Sequence, residues 1–316
     1  MKEYVINENE AGQRFDKYLF KLLPKAPSGL IFKQLRNKNI TLNNKKAKGS
    51  EILKENDLVK IFMADETIAG FSGSVNFSHN AQNIPALNVV YEDENILLAD
   101  KPVGILSQKS VPSDISMNEM LVNHLVHNGF DEKMLATFRP AFCNRLDRNT
   151  SGLMIAGKSL KGLQQMSRLI KERTVDKYYL AVVLGIINKP DNLEGYLVKN
   201  KDNTVIITKE PVKDSEYIHT SYEPLLCNGE LTLIKVLLIT GKTHQIRAHL
   251  ASIGHPVVGD PKYGNAQSNR RFHEKYQMLH SYELVFPKMD PPFDNISRHS
   301  FMTKYPDRFR KYFTLE

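Results

Sequence analysis

The chain has 316 residues, 41% hydrophobic and 25% charged, and this ordinary globular composition is long enough for two domains. It contains no run of eighteen or so apolar residues, so no membrane-spanning helix is expected, and its opening MKEYVINENE lacks the apolar core of a signal peptide. Its only two cysteines, Cys143 and Cys227, are far apart with no C-x-x-C, which argues against a disulfide framework or thiolate zinc site and for a reducing cytoplasm.

The net charge of +8 is unevenly spread. Residues 1–62 hold thirteen Lys+Arg against seven Asp+Glu, a net +6, and the other 254 residues carry only +2. A small basic module on a nearly neutral body suggests a grip for a polyanion.

In chain order, RFDKYLFKLL (14–23) places Phe15, Tyr18, Leu19, Leu22 and Leu23 on one helical face and leaves Arg14, Lys17 and Lys21 to face water. Pro24 and Pro27 break the chain, and Ser28 is placed to cap a second helix through about Arg36. In that helix Leu30, Ile31 and Leu35 should face inward, and Lys33 and Arg36 outward. NITLNN reads as a short strand ending in an Asn-Asn turn, with Lys45, Lys46 and Lys48 on the following loop, and LVKIF (58–62) as a closing strand. Two short basic helices, a strand, a lysine loop and a strand resemble the small RNA-binding domain first described in a ribosomal small-subunit protein. The resemblance covers about Arg14 to Phe62 and rests on RFDKYL, K-x-L-R-x-K-x-I-x-L-N and END-x-V. It makes Arg14, Lys17, Lys21, Lys33, Arg36, Lys45 and Lys46 candidate RNA contacts; Gly29 stands where many such domains carry Arg.

Residues 64–86 are Gly/Ser/Asn-rich without periodicity and are expected to be a linker. LNVVYEDENILLADKPVGILSQ then offers two strand-like pieces around an acidic turn. NRLDRNTSGLMIAGK (144–158) is a polar turn carrying Asp147, followed by a strand-like run. KYYLAVVLG (177–185) opens a strand with a lysine and two tyrosines. In TGKTHQIRAHLASIGHPVVGDPKYG (240–264) a turn precedes a short helix on which His244 and Arg247 lie one turn apart. Residues 291–316 are polar, basic and aromatic, and are expected to form a surface tail.

Several common chemistries find no support. No G-x-G-x-x-G follows a strand, and GKT at 241–243 lacks the glycine a phosphate loop needs, since Val236 occupies that place. His244, His249 and His255 are not spaced as metal ligands and have no acid or cysteine beside them. No G-x-S-x-G exists. No cofactor and no metal are expected, so any catalysis must run on ordinary side chains.

R-L-D-x-x-T-S-G-L, K-x-Y, T-G-x-x-H-Q-I-R-x-H-L and G-H-P-x-x-G-D-x-x-Y-G, in this order, resemble the bacterial large-subunit ribosomal RNA pseudouridine synthase family over about Val89 to Pro287. The resemblance implies Asp147 as the catalytic carboxylate, kept charged and aimed by Arg247. It implies Tyr179 packed against the flipped uracil, Arg145 filling the gap left in the base stack, and substrate binding by Arg145 and His244. Taken in isolation, an Asp between two arginines is more often a surface ion pair and a tyrosine at a strand start more often core. Gly152, Gly241, Gly254 and Gly259 are expected to shape the backbone. Many relatives have His where this chain has Asn144 and Arg where it has Lys242.

The expected protein is α+β. A small basic RNA-binding domain (1–63) and a linker (64–86) precede a catalytic domain on a mostly antiparallel mixed sheet with flanking helices (87–290), followed by the tail. The expected function is a monomeric cytoplasmic RNA pseudouridine synthase acting on large-subunit ribosomal RNA, with transfer RNA as an alternative substrate. A non-catalytic RNA-binding or ribosome-assembly factor is the competing class. A hydrolase using Asp147 as base would want a second carboxylate or a metal motif, and neither is evident.

Overall fold

The computed structural model describes residues 1–72, 84–200 and 204–315. The first core gathers strand β1 (Lys2–Val5), helices α1 (Phe15–Leu22) and α2 (Ser28–Arg36), strands β2 (Ile40–Leu42), β3 (Lys45–Lys46) and β4 (Leu58–Ile61), and helix α3 (Asp65–Phe71). Helix α1 buries Phe15, Tyr18, Leu19 and Leu22, as its apolar spacing predicts. Helix α2 spans the expected residues, but Ser28 is its first helical residue rather than its cap. Pro27 precedes it in extended backbone, and no side chain caps it. Ile31 and Leu35 are buried in its inner face, while Leu30 is only half-buried.

Asn43 and Asn44 both take positive φ, 52° and 62°, the geometry of a two-residue hairpin whose twist matches its strands. That turn returns the chain at once, so Lys45 and Lys46 lie in β3 beside β2 and not on a loop as expected. Strand β1 has no counterpart among the expected elements. It is a mostly exposed, polar edge strand on β4, with Lys2 opposite Ile61. The strand order is β1-β4-β2-β3. The stretch expected to be linker begins instead with α3, whose Ile68 is buried in this core; residues 73–83 of that stretch lie outside the described residues.

The second unit begins with β5 (Val89–Glu92) and β6 (Ile96–Lys101), which flank the acidic turn. Then come α4 (Met117–His127), β7 (Ala141–Phe142), β8 (Ser151–Gly157), α5 (Leu160–Glu172), β9 (Asp176–Leu184), β10 (Asp191–Lys199) and β11 (Val205–Thr208). The chain continues through β12 (Glu216–Cys227), β13 (Leu231–Leu238), α6 (Gln245–Ser252), α7 (Ala266–Arg271), β14 (Leu279–Val285), β15 (Ser300–Met302) and α8 (Asp307–Arg310). Among the described residues eleven strands form one sheet in the order β11-β10-β12-β13-β9-β14-β8-β6-β5, with β7 added to β8 and β15 to β14. Every pairing is antiparallel except β14 with β8, where His280 lies opposite Ser151. The fold is therefore α+β on a mostly antiparallel mixed sheet, as expected.

The parallel pair approaches closely at Gly152. There φ is +112°, and a Cβ would stand 2.1 Å from the Ser281 carbonyl oxygen, so only glycine fits. Gly241, expected to be constrained in the same way, has neither a positive φ nor a crowding neighbour.

Residues 291–315 do not form the surface tail expected of this segment. β15 extends the sheet beside β14, and Phe293, Ile296, Phe309, Phe313 and Leu315 are buried. Their spacing follows neither a helix nor a strand period, so no regular pattern exposes them as core. Phe309→Ala should lower stability by about 3–5 kcal/mol, read as a shift of the urea midpoint at unchanged slope. A loss within about 0.5 kcal/mol would return the segment to the surface.

Candidate active site

Asp147 lies in the loop between β7 and β8, and that loop is bonded on every side. Lys101, at the end of β6, is fully buried and donates through Nζ to the carbonyls of Pro102 (3.0 Å), Arg148 (2.8 Å) and Thr150 (2.9 Å). Burial pushes its pKa down to about 8, with the charge of Asp147 opposing the shift. Ser107 Oγ accepts from Leu146 N at 3.0 Å and lies 2.8 Å from its carbonyl. Gln277 Nε2 donates to Thr150 Oγ1 at 3.1 Å. Asn144 Oδ1 accepts from Ile155 N at 2.8 Å, tying the loop to β8. Asn144 thus has a scaffold role here.

Asp147 pairs with neither arginine beside it. Arg148 turns to the carbonyl of Gly104 (Nε to O, 3.1 Å). The partner comes from α6, a hundred residues on, where Arg247 Nη1 donates to Asp147 Oδ2 at 2.6 Å. Arg247 is 4% exposed in its side chain and Asp147 27%. The other edge of the guanidinium binds Asp260, Nε to Oδ2 at 2.6 Å and Nη2 to Oδ1 at 2.8 Å. Asp260 is fully buried in its side chain and also accepts from the backbone of Lys262 and Tyr263. Burial alone would lower the Arg247 pKa and raise that of Asp260. The bidentate pair outweighs both effects, so arginine stands above its ordinary value and Asp260 below.

Around this pair opens a cleft of about 900 Å³ whose walls include Asp147, Arg247, Tyr179, Arg145, His244 and Lys242. Tyr179 is buried at the start of β9. Burial pushes its pKa up to about 12, with Ser281 opposing and Asp147 adding. Arg145 is exposed and makes no side-chain hydrogen bond or ion pair among the described residues. His244 precedes α6 instead of lying in it, with φ 56° and ψ 14°; its Nδ1 meets Tyr263 Oη at 2.9 Å. Lys242 pairs with Glu216. All five residues expected at the site therefore line one cleft. His249 and His255 turn elsewhere, to Thr220 Oγ1 and to the carbonyl of Leu184.

Lys101, Asp260 and Tyr263 carry no functional expectation from sequence. A lysine ending the apolar run ILLADK is the signal that could have found Lys101; Asp260 and Tyr263 stand inside the G-D-x-x-Y-G stretch with no role attached.

The seven residues expected to touch RNA in the first unit are all exposed. Arg14 is engaged by Asp16 (Nη2 to Oδ2, 2.7 Å) and Lys21 by Gln13 (2.9 Å). The side chains of Lys17, Lys33, Arg36, Lys45 and Lys46 make no hydrogen bond or ion pair among the described residues.

A carboxylate held by an arginine thus shares one cleft with a buried tyrosine and with an arginine that has no partner among the described residues. Residues 95–252 match the family described as RNA pseudouridylate synthase. An uncharacterized RNA pseudouridine synthase of Mycoplasma genitalium is 33% identical over 96% of this chain and 95% of its own length. Ribosomal large subunit pseudouridine synthase C of Rickettsia felis is 32% identical over 85% of this chain and 86% of its own. The solved structure of human RNA pseudouridylate synthase domain containing 4 shares the fold, with a TM-score of 0.56 at 18% identity over 70% of this chain and 90% of that one. The chain belongs to the RNA pseudouridine synthase family and is an isomerase.

Two buried histidines hold the scaffold with neutral rings. His249 of α6 bonds Thr220 Oγ1 at 2.9 Å; His280 of β14 bridges Ser151 Oγ (2.8 Å) and Thr303 Oγ1 (2.6 Å). Burial pushes both pKa values down to about 4, and His219 adds to the shift of His249. The unfolded chain takes up these protons near pH 6.5 and the folded one only near 4. Their effect is therefore nil above pH 6.5, and stability falls as pH drops from 6.5 to 4, by up to about 1.4 kcal/mol per unit for each ring. Urea midpoints at pH 7 and pH 5 should separate more for the wild type than for His280→Gln; equal separation would remove the burial argument for His280.

Proposed function

We propose that this enzyme isomerises uridines of large-subunit ribosomal RNA, with Asp147 as its catalytic carboxylate. The observation that carries the reading is the 2.6 Å contact between Arg247 and Asp147 in the cleft. The RNA class is supported by a relative named for the ribosomal large subunit that matches most of this chain.

In the reaction the bond from C1′ to N1 breaks, the uracil turns, and C1′ joins C5. C5 gives up its proton and N1 gains one, so nothing is oxidised and no group leaves the RNA. The enzyme must supply a charged nucleophile or base beside the ribose and ring, and a place for a base taken out of the stack. Asp147 supplies the first, held at fixed orientation by Arg247 and by the bonded loop around it. Tyr179 packs against the flipped ring. Arg145, with no partner to give up, enters the vacated stack, where a flat guanidinium can replace a base. Lys17, Lys33, Arg36, Lys45 and Lys46 grip phosphates outside the cleft.

Large-subunit ribosomal RNA transcripts labelled with tritium at C5 of uracil should lose label to water with the wild type and retain it with Asp147→Asn. Equal release by both would take the chemistry away from Asp147. Changing Lys17, Lys33, Arg36, Lys45 and Lys46 together to Gln in the full chain should weaken RNA binding and flatten its salt dependence, by about 0.7–0.9 in log–log slope for each phosphate that is no longer neutralised. An unchanged slope would show that the first unit is not the grip.

A further inference from the structure

The Asp147 carboxylate has a second neighbour in the cleft. His244 Nε2 lies 3.9 Å from Asp147 Oδ2, too far for a hydrogen bond. The ring is nonetheless held in place. His244 adopts the left-handed backbone conformation, uncommon for a residue with a side chain. Its ring meets that of Tyr263 edge to face, with centroids 5.6 Å apart.

The hydrogen bonds around Tyr263 favour one tautomer of that ring. Val205 N–H donates to Tyr263 Oη at 2.8 Å. The tyrosine has a single proton of its own, and among the described residues His244 Nδ1, at 2.9 Å, is the acceptor within its reach. With Nδ1 as that acceptor, the neutral ring carries its proton on Nε2, the nitrogen nearer Asp147. Burial lowers the His244 pKa against the opposing charge of Asp147, in keeping with a neutral ring.

The cleft thus presents an N–H donor and a carboxylate acceptor 3.9 Å apart. An atom about 2.8 Å from each would bridge them, provided it can accept and donate at once. Within an RNA chain the uridine O2, O4 and phosphate oxygens only accept, and N3–H only donates. The 2′-hydroxyl does both, and it sits on the carbon next to C1′, where the bonds change. We infer that His244 and Asp147 together hold the 2′-hydroxyl of the target ribose, with His244 Nε2–H donating to it and Asp147 Oδ2 accepting from it. Tyr263 is the positioning residue that fixes the histidine tautomer. Asp147 Oδ2 is then occupied by Arg247 and the ribose, and Oδ1, which makes no hydrogen bond among the described residues, is left for the reaction. The inference rests on the reading of Asp147 as acting on a uridine in RNA, and it makes this pair a device for telling ribose from deoxyribose.

The test pairs enzyme variants with a change at the 2′ position. Large-subunit ribosomal RNA transcripts labelled with tritium at C5 are made with uridine or with 2′-fluorouridine, whose fluorine cannot donate and accepts poorly. Comparing enzymes on the same RNA cancels any effect of fluorine on RNA folding or intrinsic reactivity. On the hydroxyl RNA, His244→Ala should slow release about tenfold, and His244→Gln, whose amide N–H can reach the same place, should recover most of it. On the fluoro RNA, wild type and His244→Ala should agree within about twofold. An equal loss on both RNAs overturns the inference while leaving the synthase reading intact. No release by the wild type from either RNA overturns that reading and this one with it. Nitrogen-15 spectra of histidine-labelled protein at pH 7 decide the tautomer without RNA. They should show Nε2 of His244 protonated and Nδ1 bare, with Tyr263→Phe giving a mixture; a proton on Nδ1 in the wild type overturns the assignment.

Discussion

Arg247 lies between two carboxylates, and the geometry of the cleft depends on that placement. A buried guanidinium without a counter-charge is costly, and removing one partner from a buried pair is worse than never having had it. Asp260, wholly buried, takes Nε and Nη2 in a bidentate grip, which fixes the plane of the guanidinium and leaves Nη1 aimed at Asp147. Three stretches of chain must meet for this to happen: the loop after β7, the first turn of α6 and the segment around Asp260. That last segment is fastened to β9, with Val258 N donating to Val182 O at 2.9 Å and Val183 bridging Val257. The strand that carries Tyr179 into the cleft thus also fixes the anchor of the arginine.

The other half of the constraint is Lys101. A buried lysine that gives all three of its donors to main-chain carbonyls is an expensive way to hold a loop, since burial disfavours its charge. It also brings a cation beneath the segment that carries Asp147. With Ser107, Gln277 and Asn144 it leaves the loop little freedom, so the orientation of the carboxylate is set before substrate arrives. Arg145, two residues from Asp147, is left out of every one of these bonds. The loop is thus rigid at Asp147, while the Arg145 side chain is free of partners among the described residues.

Much of this was legible in the sequence, because the residues that line the cleft are unusual for their surroundings. Asp147, Arg247 and Tyr179 stand in ordered motifs, and the face of α1 follows from apolar spacing alone. What could not be read has particular physical causes. Asp260 and Tyr263 contact Arg247 and His244, and which residue meets which across the fold has no signature in one chain. Ser28 reads as a helix cap, yet Pro27 takes that place in extended backbone, and the serine is left inside the first turn. Lys45 and Lys46 look like loop lysines until the Asn43–Asn44 turn folds them back beside β2. The segment after residue 290 is charged on average, and its few buried aromatics are too widely spaced to set a period; its place in the core comes from pairing with β14, a long-range contact.

Asn144 and Lys242, the two residues expected to depart from the commoner motif, each make a contact of their own apart from the Asp147–Arg247 pair. Asn144 uses its side-chain carbonyl to accept from the backbone of β8, a bond any acceptor of that length could make. Lys242 keeps a positive charge at the cleft but holds it against Glu216, where an arginine could have presented two parallel donors to a phosphate. Both changes thus leave the Asp147–Arg247–Asp260 chain untouched and alter what surrounds it.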